Sequence, residues 1–194
     1  PVWLERVDGH AGWANSAALK RATRDLAGDW QPEGGQVLRA GGKASGVFVD
    51  NAMGLIQAAV PAPTAEQATQ ALSDAMADIA RHGLTGVHDA GVSKAEMALY
   101  RGLADAGRMP VRIHAMANGD GEALEWLCAE GRYRHAGGRL QMRAVKLYAD
   151  GALGSRGAAL LEPYDDDRGN RGLVITPREE LVRAAELGMR AGWQ

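Results

Sequence analysis

From Thr64 onward, apolar residues recur at helical spacing in three separate segments. Ala68, Ala71, Leu72, Ala75, Met76 and Ile79 share one face of a 3.6-residue period, as do Met97, Leu99, Tyr100 and Leu103, and then Leu181, Ala184, Ala185 and Leu187. Each segment opens on the same signal. Thr64 precedes Gln67 by three residues, Ser93 precedes Glu96 and Thr176 precedes Glu179, the spacing at which a hydroxyl and an acidic or amide side chain satisfy each other's backbone N–H groups. Pro177 fits the first helical position, where its missing N–H is harmless, and Gly83, Gly107 and Gly192 are placed as left-handed helix stops. A weaker helix is predicted over 122–130.

Between these helices lie short strand-like runs: "LTGVHDAG" at 84–91, "PVRIHAMA" at 110–117 and "LQMRAVKLYADG" at 140–151. Another strand is expected to begin at Trp193 and Gln194. Alternating helices and strands mean a parallel sheet with helical crossovers, either a barrel or an open doubly wound sheet. No strand runs into a Gly-x-Gly-x-x-Gly phosphate turn, which disfavours the open sheet. The first sixty residues differ: "PVWLERV" reads as a strand, "NSAALKRATRDL" as a helix capped by Asn15, and "GQVLRAGGKASGVFVD" as a hairpin turning at Gly41 and Gly42. The fold expected is therefore α/β, with a small α+β subdomain over 1–60, a junction at Pro61 and Pro63, and a β/α part over 61–194.

Composition narrows the functional classes. The chain has 194 residues, is 46% hydrophobic and carries a formal net charge of -2, from 22 Lys and Arg against 24 Asp and Glu. With no block of like charge there is no footprint for nucleic acid or an anionic membrane, and a small-molecule ligand is the expected partner. Oligomeric state is left open. Cys128 is the single cysteine, which excludes an intramolecular disulfide and makes a reducing cytoplasm the expected setting. "PVWLERVDGH" lacks the charged-then-apolar pattern of a signal peptide.

The strand over 140–151 carries a lysine in its middle. Alternation puts Val145, Leu147 and Ala149 on one face and Lys146, Tyr148 and Asp150 on the other. If the apolar face lies under helices, Lys146 points to the inside of the sheet or barrel near the strand's carboxyl end, where α/β proteins place their sites. A desolvated ammonium is costly, so such a lysine pairs with Asp150 or Asp89, acts as a neutral amine in a Schiff base, or takes up carbon dioxide as a carbamate that binds metal.

"VKLYADGALGSRGAALLEPYDDDRGNRGL", 145–173, resembles the corresponding stretch of the amidohydrolase superfamily, specifically the amidohydrolase family 3 group that includes the N-substituted formamide deformylases. "VWLERVDGHAGWANSAAL", 2–19, and "GLTGVHDAG", 83–91, are similar to two further blocks of that group in the same order. The resemblance implies a metal-dependent hydrolase on a (β/α)8 TIM-type barrel, cleaving carbon–nitrogen bonds other than peptide bonds through a metal-activated water. It implies that Lys146 is carboxylated and binds a divalent metal, zinc being the expected ion, in one or two copies. His10, in the block at 2–19, and Arg156, in the loop after Lys146, are the expected contacts to an amide-type substrate.

The chain also departs from that pattern. Its five histidines are His10, His82, His88, His114 and His135, and no two stand at the family's His-x-His spacing. The expectation is an internal portion of a longer hydrolase, holding about the second to fourth barrel strands and inactive alone, since a metal site takes about three protein ligands and a barrel about 250 residues. No catalytic residue is assigned within it. A Schiff-base lyase using Lys146 and a catalytically inactive binding domain are the alternatives. Of His88 and Asp89, one must face the interior, in a polar supporting role; His114 reads as a core histidine, His82 as a helix-end cation, His135 as a loop residue and Cys128 as packing. Ser155 lies in the same loop as Arg156, whose alternative role is a salt bridge to the acidic run at 165–167. "YDDDRGNRG" lacks calcium-loop spacing and reads as a solvated loop.

Overall fold

Trp3–Glu5 forms β1, which pairs antiparallel with β2, Ala11–Ala14. β3, Gly35–Ala40, and β4, Lys43–Asp50, make the expected hairpin, and Gly41 and Gly42 hold φ of 56° and 75°, the left-handed values a two-residue turn needs. The sheet order is β1-β2-β4-β3. Phe48, Val37, Ala14, Ala18, Met53 and Ile56 fill the core beneath it. The computed structural model describes residues 1–119 and 122–194. By contacts these fall into two units, Pro1–Pro61 with Tyr148–Arg178, and Ala62–Leu147 with Glu179–Gln194, so the segment Tyr148–Arg178 groups with the first unit.

The helix expected after Asn15 is short. Asn15 caps it by accepting from the Ala18 N–H, but α1 spans only Ser16–Leu19. Beyond it the backbone is taken by tertiary partners: the Thr23 N–H donates to the Leu55 carbonyl at 3.0 Å, and Arg39 donates to the carbonyls of Leu26 and Trp30 at 2.7 and 3.1 Å. Those bonds replace a helical ladder that Thr23, Asp25 and Gly28 support poorly. α2, Gly54–Gln57, follows β4 through a 3-10 turn at Asn51–Met53.

In the second unit α3 is Ala65–Arg81 and α4 is Lys94–Asp105, and both begin with reciprocal caps. Gln67 N–H donates to Thr64 Oγ1 at 3.2 Å while the Gln67 side chain accepts from the Thr64 N–H at 2.9 Å, and Ser93 and Glu96 do the same at 3.2 and 2.8 Å. α5 spans Glu122–Glu130. α6 spans Arg178–Arg190, one residue later than the proline-first reading, within the usual scatter of helix ends.

β5, Gly86–Val92, β6, Arg112–Asn118, and β8, Leu140–Lys146, run parallel, and a two-residue strand that the sequence pattern missed, β7 at Tyr133–Arg134, pairs antiparallel with β8. The order is β5-β6-β8-β7. After α6, Gln194 N–H donates to the Arg143 carbonyl at 2.9 Å and accepts from the Val145 N–H at 2.8 Å, the bracketing pattern of a parallel pair. Successive parallel segments thus add to the sheet in chain order. Met76 of α3, Met97, Tyr100 and Leu103 of α4, and Leu127 of α5 pack with Trp193 on Ile113, Ala115, Ala117, Leu140 and Met142 in one cluster, so the helices cover a single face.

The register contains two irregularities. Ala115 pairs with Met142 but Met116 pairs with Ala144, leaving Arg143 as an extra residue in β8; likewise Gly91 is extra in β5, where Ala90 pairs with Met116 and Val92 with Ala117. Gly91 takes φ 93°, open to glycine at little cost.

Met97 is fully buried in the cluster, so Met97→Ala is expected to lower unfolding free energy by about 2–5 kcal/mol. Thr64→Ala, which removes one half of a reciprocal cap, is expected to cost about 1 kcal/mol. Urea unfolding followed by circular dichroism checks both, and equal effects from the two would contradict the packing described.

Candidate functional site

The extra residue in β8 determines where Lys146 lies. Before it, Leu140 and Met142 pair with Ile113 and Ala115 on the helix-covered face; after it, Val145 pairs with Ala117 on that face and Lys146 pairs with Asn118 on the other. Lys146 is half-buried and ends β8 at its carboxyl end. The uncovered face also carries His88 and His114, in register with Gln141, and Met116, in register with Ala90 and Ala144. Four residues of strand separate His114 from Asn118, about 13 Å, so the two histidines stand near the amino ends while Lys146 stands at the other.

His88 and His114 stack with ring centroids 4.8 Å apart. They border a cleft of about 330 Å³ together with Arg112, Arg134 and Gln141. His114 Nε2 is buried with no hydrogen-bond partner among the described residues. Burial first, then His88 and Arg143, hold its pKa below the ordinary histidine value. Asp89 faces the helices, accepting from Tyr100 Oη at 2.7 Å; burial and that bond push the phenol pKa up. His88 is therefore the member of the pair that points away from the helices.

Among the described residues no three His, Cys, Asp or Glu side chains converge as a metal site. A complete centre of about three protein ligands is thus not formed by them. Lys146 stands on this face as a long amine stem beside Asn118, whose Oδ1 is buried without a partner among the described residues.

The first unit holds the other two expected residues. His10 Nδ1 lies 2.7 Å from Asp50 Oδ1, and the Asp50 side chain is 1% exposed against 25% for His10. Asp50 was not visible as a site residue from sequence; its one signal was a carboxylate at the end of an apolar strand, in "GVFVDN". Arg156, at φ 59°, donates through Nε and Nη2 to the two Asp166 oxygens at 3.1 and 2.6 Å, and the pair lowers the Asp166 pKa. Ser155 Oγ donates to the Ala152 carbonyl at 3.0 Å. Both residues shape the loop.

The remaining candidates are structural. His82 caps the end of α3, its ring 2.9 Å from the Asp78 carbonyl, and His135 Nε2 lies 3.2 Å from Asp105. Cys128 packs at the margin of the cluster, and burial raises its thiol pKa. Asp165, Asp166 and Asp167 are exposed.

Residues 1–194 match the amidohydrolase family as a whole. The chain belongs to the amidohydrolase family. It is 35% identical over 205 residues to YtcJ of Bacillus subtilis, named as an amidohydrolase, covering 97% of this chain and 37% of that protein. It is 30% identical to an N-substituted formamide deformylase of Arthrobacter pascens, with 97% and 37% covered, and 30% identical to the protein LONG AFTER FAR-RED 3 of Arabidopsis thaliana, with 100% and 35% covered. The chain thus spans little more than a third of the curated relatives it matches. Crystal structures described as uncharacterized metal-dependent hydrolases of Pyrococcus horikoshii and Pyrococcus furiosus share its fold, with TM-scores of 0.74 and 0.71 at 24% and 22% identity, covering all of this chain and 38% and 39% of theirs.

The His114 shift gives a pH prediction. A histidine with a lowered folded-state pKa contributes stability that is present above its unfolded value, about 6.5, and lost as pH falls through the folded value. NMR titration is expected to show His114 titrating below 6.5, and His114→Gln is expected to flatten the stability loss over that window. A His114 midpoint above 6.5 would contradict the buried placement.

Proposed function

We propose that the protein carrying this chain is a metal-dependent hydrolase of non-peptide carbon–nitrogen bonds, and that this chain contributes consecutive strands of a (β/α)8 barrel with Lys146 as one metal ligand. The observation that carries the reading is the position of Lys146, at a carboxyl strand end on the face that helices leave uncovered. Parallel strands adding in chain order, with every crossover on one side, support a barrel over a doubly wound sheet, in which helices occupy both faces. The uncovered face is then the interior, and its carboxyl end is where such barrels hold their chemistry.

On this reading the Lys146 amine adds carbon dioxide and loses a proton to water, giving a carbamate, a carboxylate on a long stem. A divalent ion, zinc by this assignment, would be held by Lys146 together with further ligands, and would supply polarisation of a carbonyl and a lowered pKa for a water. The strand length separating them from Lys146, about 13 Å, sets His88 and His114 towards the amino ends of the strands, which supports a role for them in the interior of the sheet. His10 is assigned to the amide-type substrate. The Arg156 fork is already engaged by Asp166, which supports a loop-shaping role over substrate contact. The half-buried single cysteine supports a cytoplasmic setting.

In the complete protein, Lys146→Ala is expected to lose bound divalent metal, measured by elemental analysis, and to lose hydrolysis of N-phenylformamide by more than the roughly 10–100-fold typical of an outer-shell partner, with circular dichroism unchanged. Retention of metal and activity would overturn the assignment. Trapping of Lys146 by borohydride with a carbonyl compound would replace it with the Schiff-base reading.

A further inference from the structure

The first unit contains a buried carboxylate, Asp50, that the metal reading leaves unused. Asp50 ends β4 with φ 47° and ψ -125°, a backbone state that non-glycine residues adopt rarely and that clusters at functional sites. Its carboxylate is nevertheless 1% exposed. Oδ1 meets His10 Nδ1 at 2.7 Å, the Asp50 N–H donates to the His10 carbonyl at 3.2 Å, and Oδ2 is buried with no hydrogen-bond partner among the described residues. A Cβ on Gly151 or Gly157 would stand 2.6 or 2.7 Å from Oδ2, so two glycines let the loop backbone close over the carboxylate.

This arrangement selects a tautomer. An ionised carboxylate only accepts hydrogen bonds, so Nδ1 of His10 carries the proton, and in the neutral ring Nε2 is left as an acceptor. A quarter of the His10 side chain remains exposed. We propose that Asp50, seated on Gly151 and Gly157, is a positioning residue that holds His10 with its proton on Nδ1, so that Nε2 accepts the N–H of a secondary amide substrate. This rests on the reading of the protein as a hydrolase of amide-type bonds and adds a specificity to it. N-monosubstituted amides, which keep an N–H, bind in preference to N,N-disubstituted ones.

The test uses the complete protein labelled with 15N-histidine. Long-range proton–nitrogen correlations are expected to show His10 protonated on Nδ1, with Asp50→Asn and, independently, Gly157→Ala shifting it toward the Nε2–H form. The glycine variant keeps both side chains of the pair and crowds the carboxylate most closely, at 2.7 Å, with the Gly151 Cα next at 3.3 Å. An Nε2–H tautomer in the unmodified protein overturns the positioning role.

Titration with N-phenylformamide is expected to move the His10 Nε2 resonance, whereas N-methyl-N-phenylformamide leaves it in place. Asp50→Asn is expected to weaken binding of the secondary amide roughly three- to tenfold. Equal responses to the two compounds, or none to either, overturn the N–H contact. Absence of turnover with this selective binding intact overturns the hydrolase reading alone.

Discussion

One extra residue in one strand decides the chemistry available to this sheet. Without Arg143 as a bulge, Lys146 would share parity with Leu140 and Met142 and lie beneath the helices, where an ammonium ion is strongly disfavoured. With it, the apolar residues Val145 and Ala117 continue the covered face and the lysine emerges beside Asn118 on the opposite one. β5 makes a similar adjustment at Gly91, one residue further along β6. The central strand β6 therefore keeps strict alternation, Ile113, Ala115 and Ala117 buried, while both neighbours shift around it. Bulges that redirect a side chain near the end of a strand are a recurrent way of aiming functional groups.

Elements governed by local chemistry were the ones legible in the sequence. Thr64 with Gln67 and Ser93 with Glu96 form the reciprocal caps their spacing implies, Gly83, Gly107 and Gly192 take positive φ, and 122–130 is helical to the residue. Elements governed by distant partners were not. The helix after Asn15 stops at Leu19 because Leu55 and Arg39 claim the backbone beyond it. β7 is two residues long and exists only by pairing with β8, too short for any periodicity to register. Val145 and Lys146 take opposite faces at the end of β8, but the strand ends at Lys146, so the alternation does not run on through Leu147 and Tyr148, and the break at Arg143 is invisible to alternation alone.

The candidate site divides in the same way. Lys146 became a candidate because a charged residue interrupting an apolar strand is conspicuous, and His10 because it falls in a family block. Asp50 carried no comparable sign: its significance lies in burial, in a backbone angle and in the glycines packed on it, which only the folded chain brings together. Membership of the amidohydrolase family and the shared fold with two hydrolase structures agree with the polar, uncovered face. The chain covers little more than a third of its curated relatives, which is consistent with a face bearing one candidate ligand rather than a full set.

The most direct measurement of the central claim is anomalous diffraction from crystals of the complete protein at the absorption edge of zinc. The account predicts a peak at the end of the Lys146 side chain, with density for three additional atoms extending from Nζ, on the face of the sheet opposite Met97 and Leu127. A peak remote from Lys146, or a lysine ending in an unmodified amine beside an intact metal centre, would contradict it.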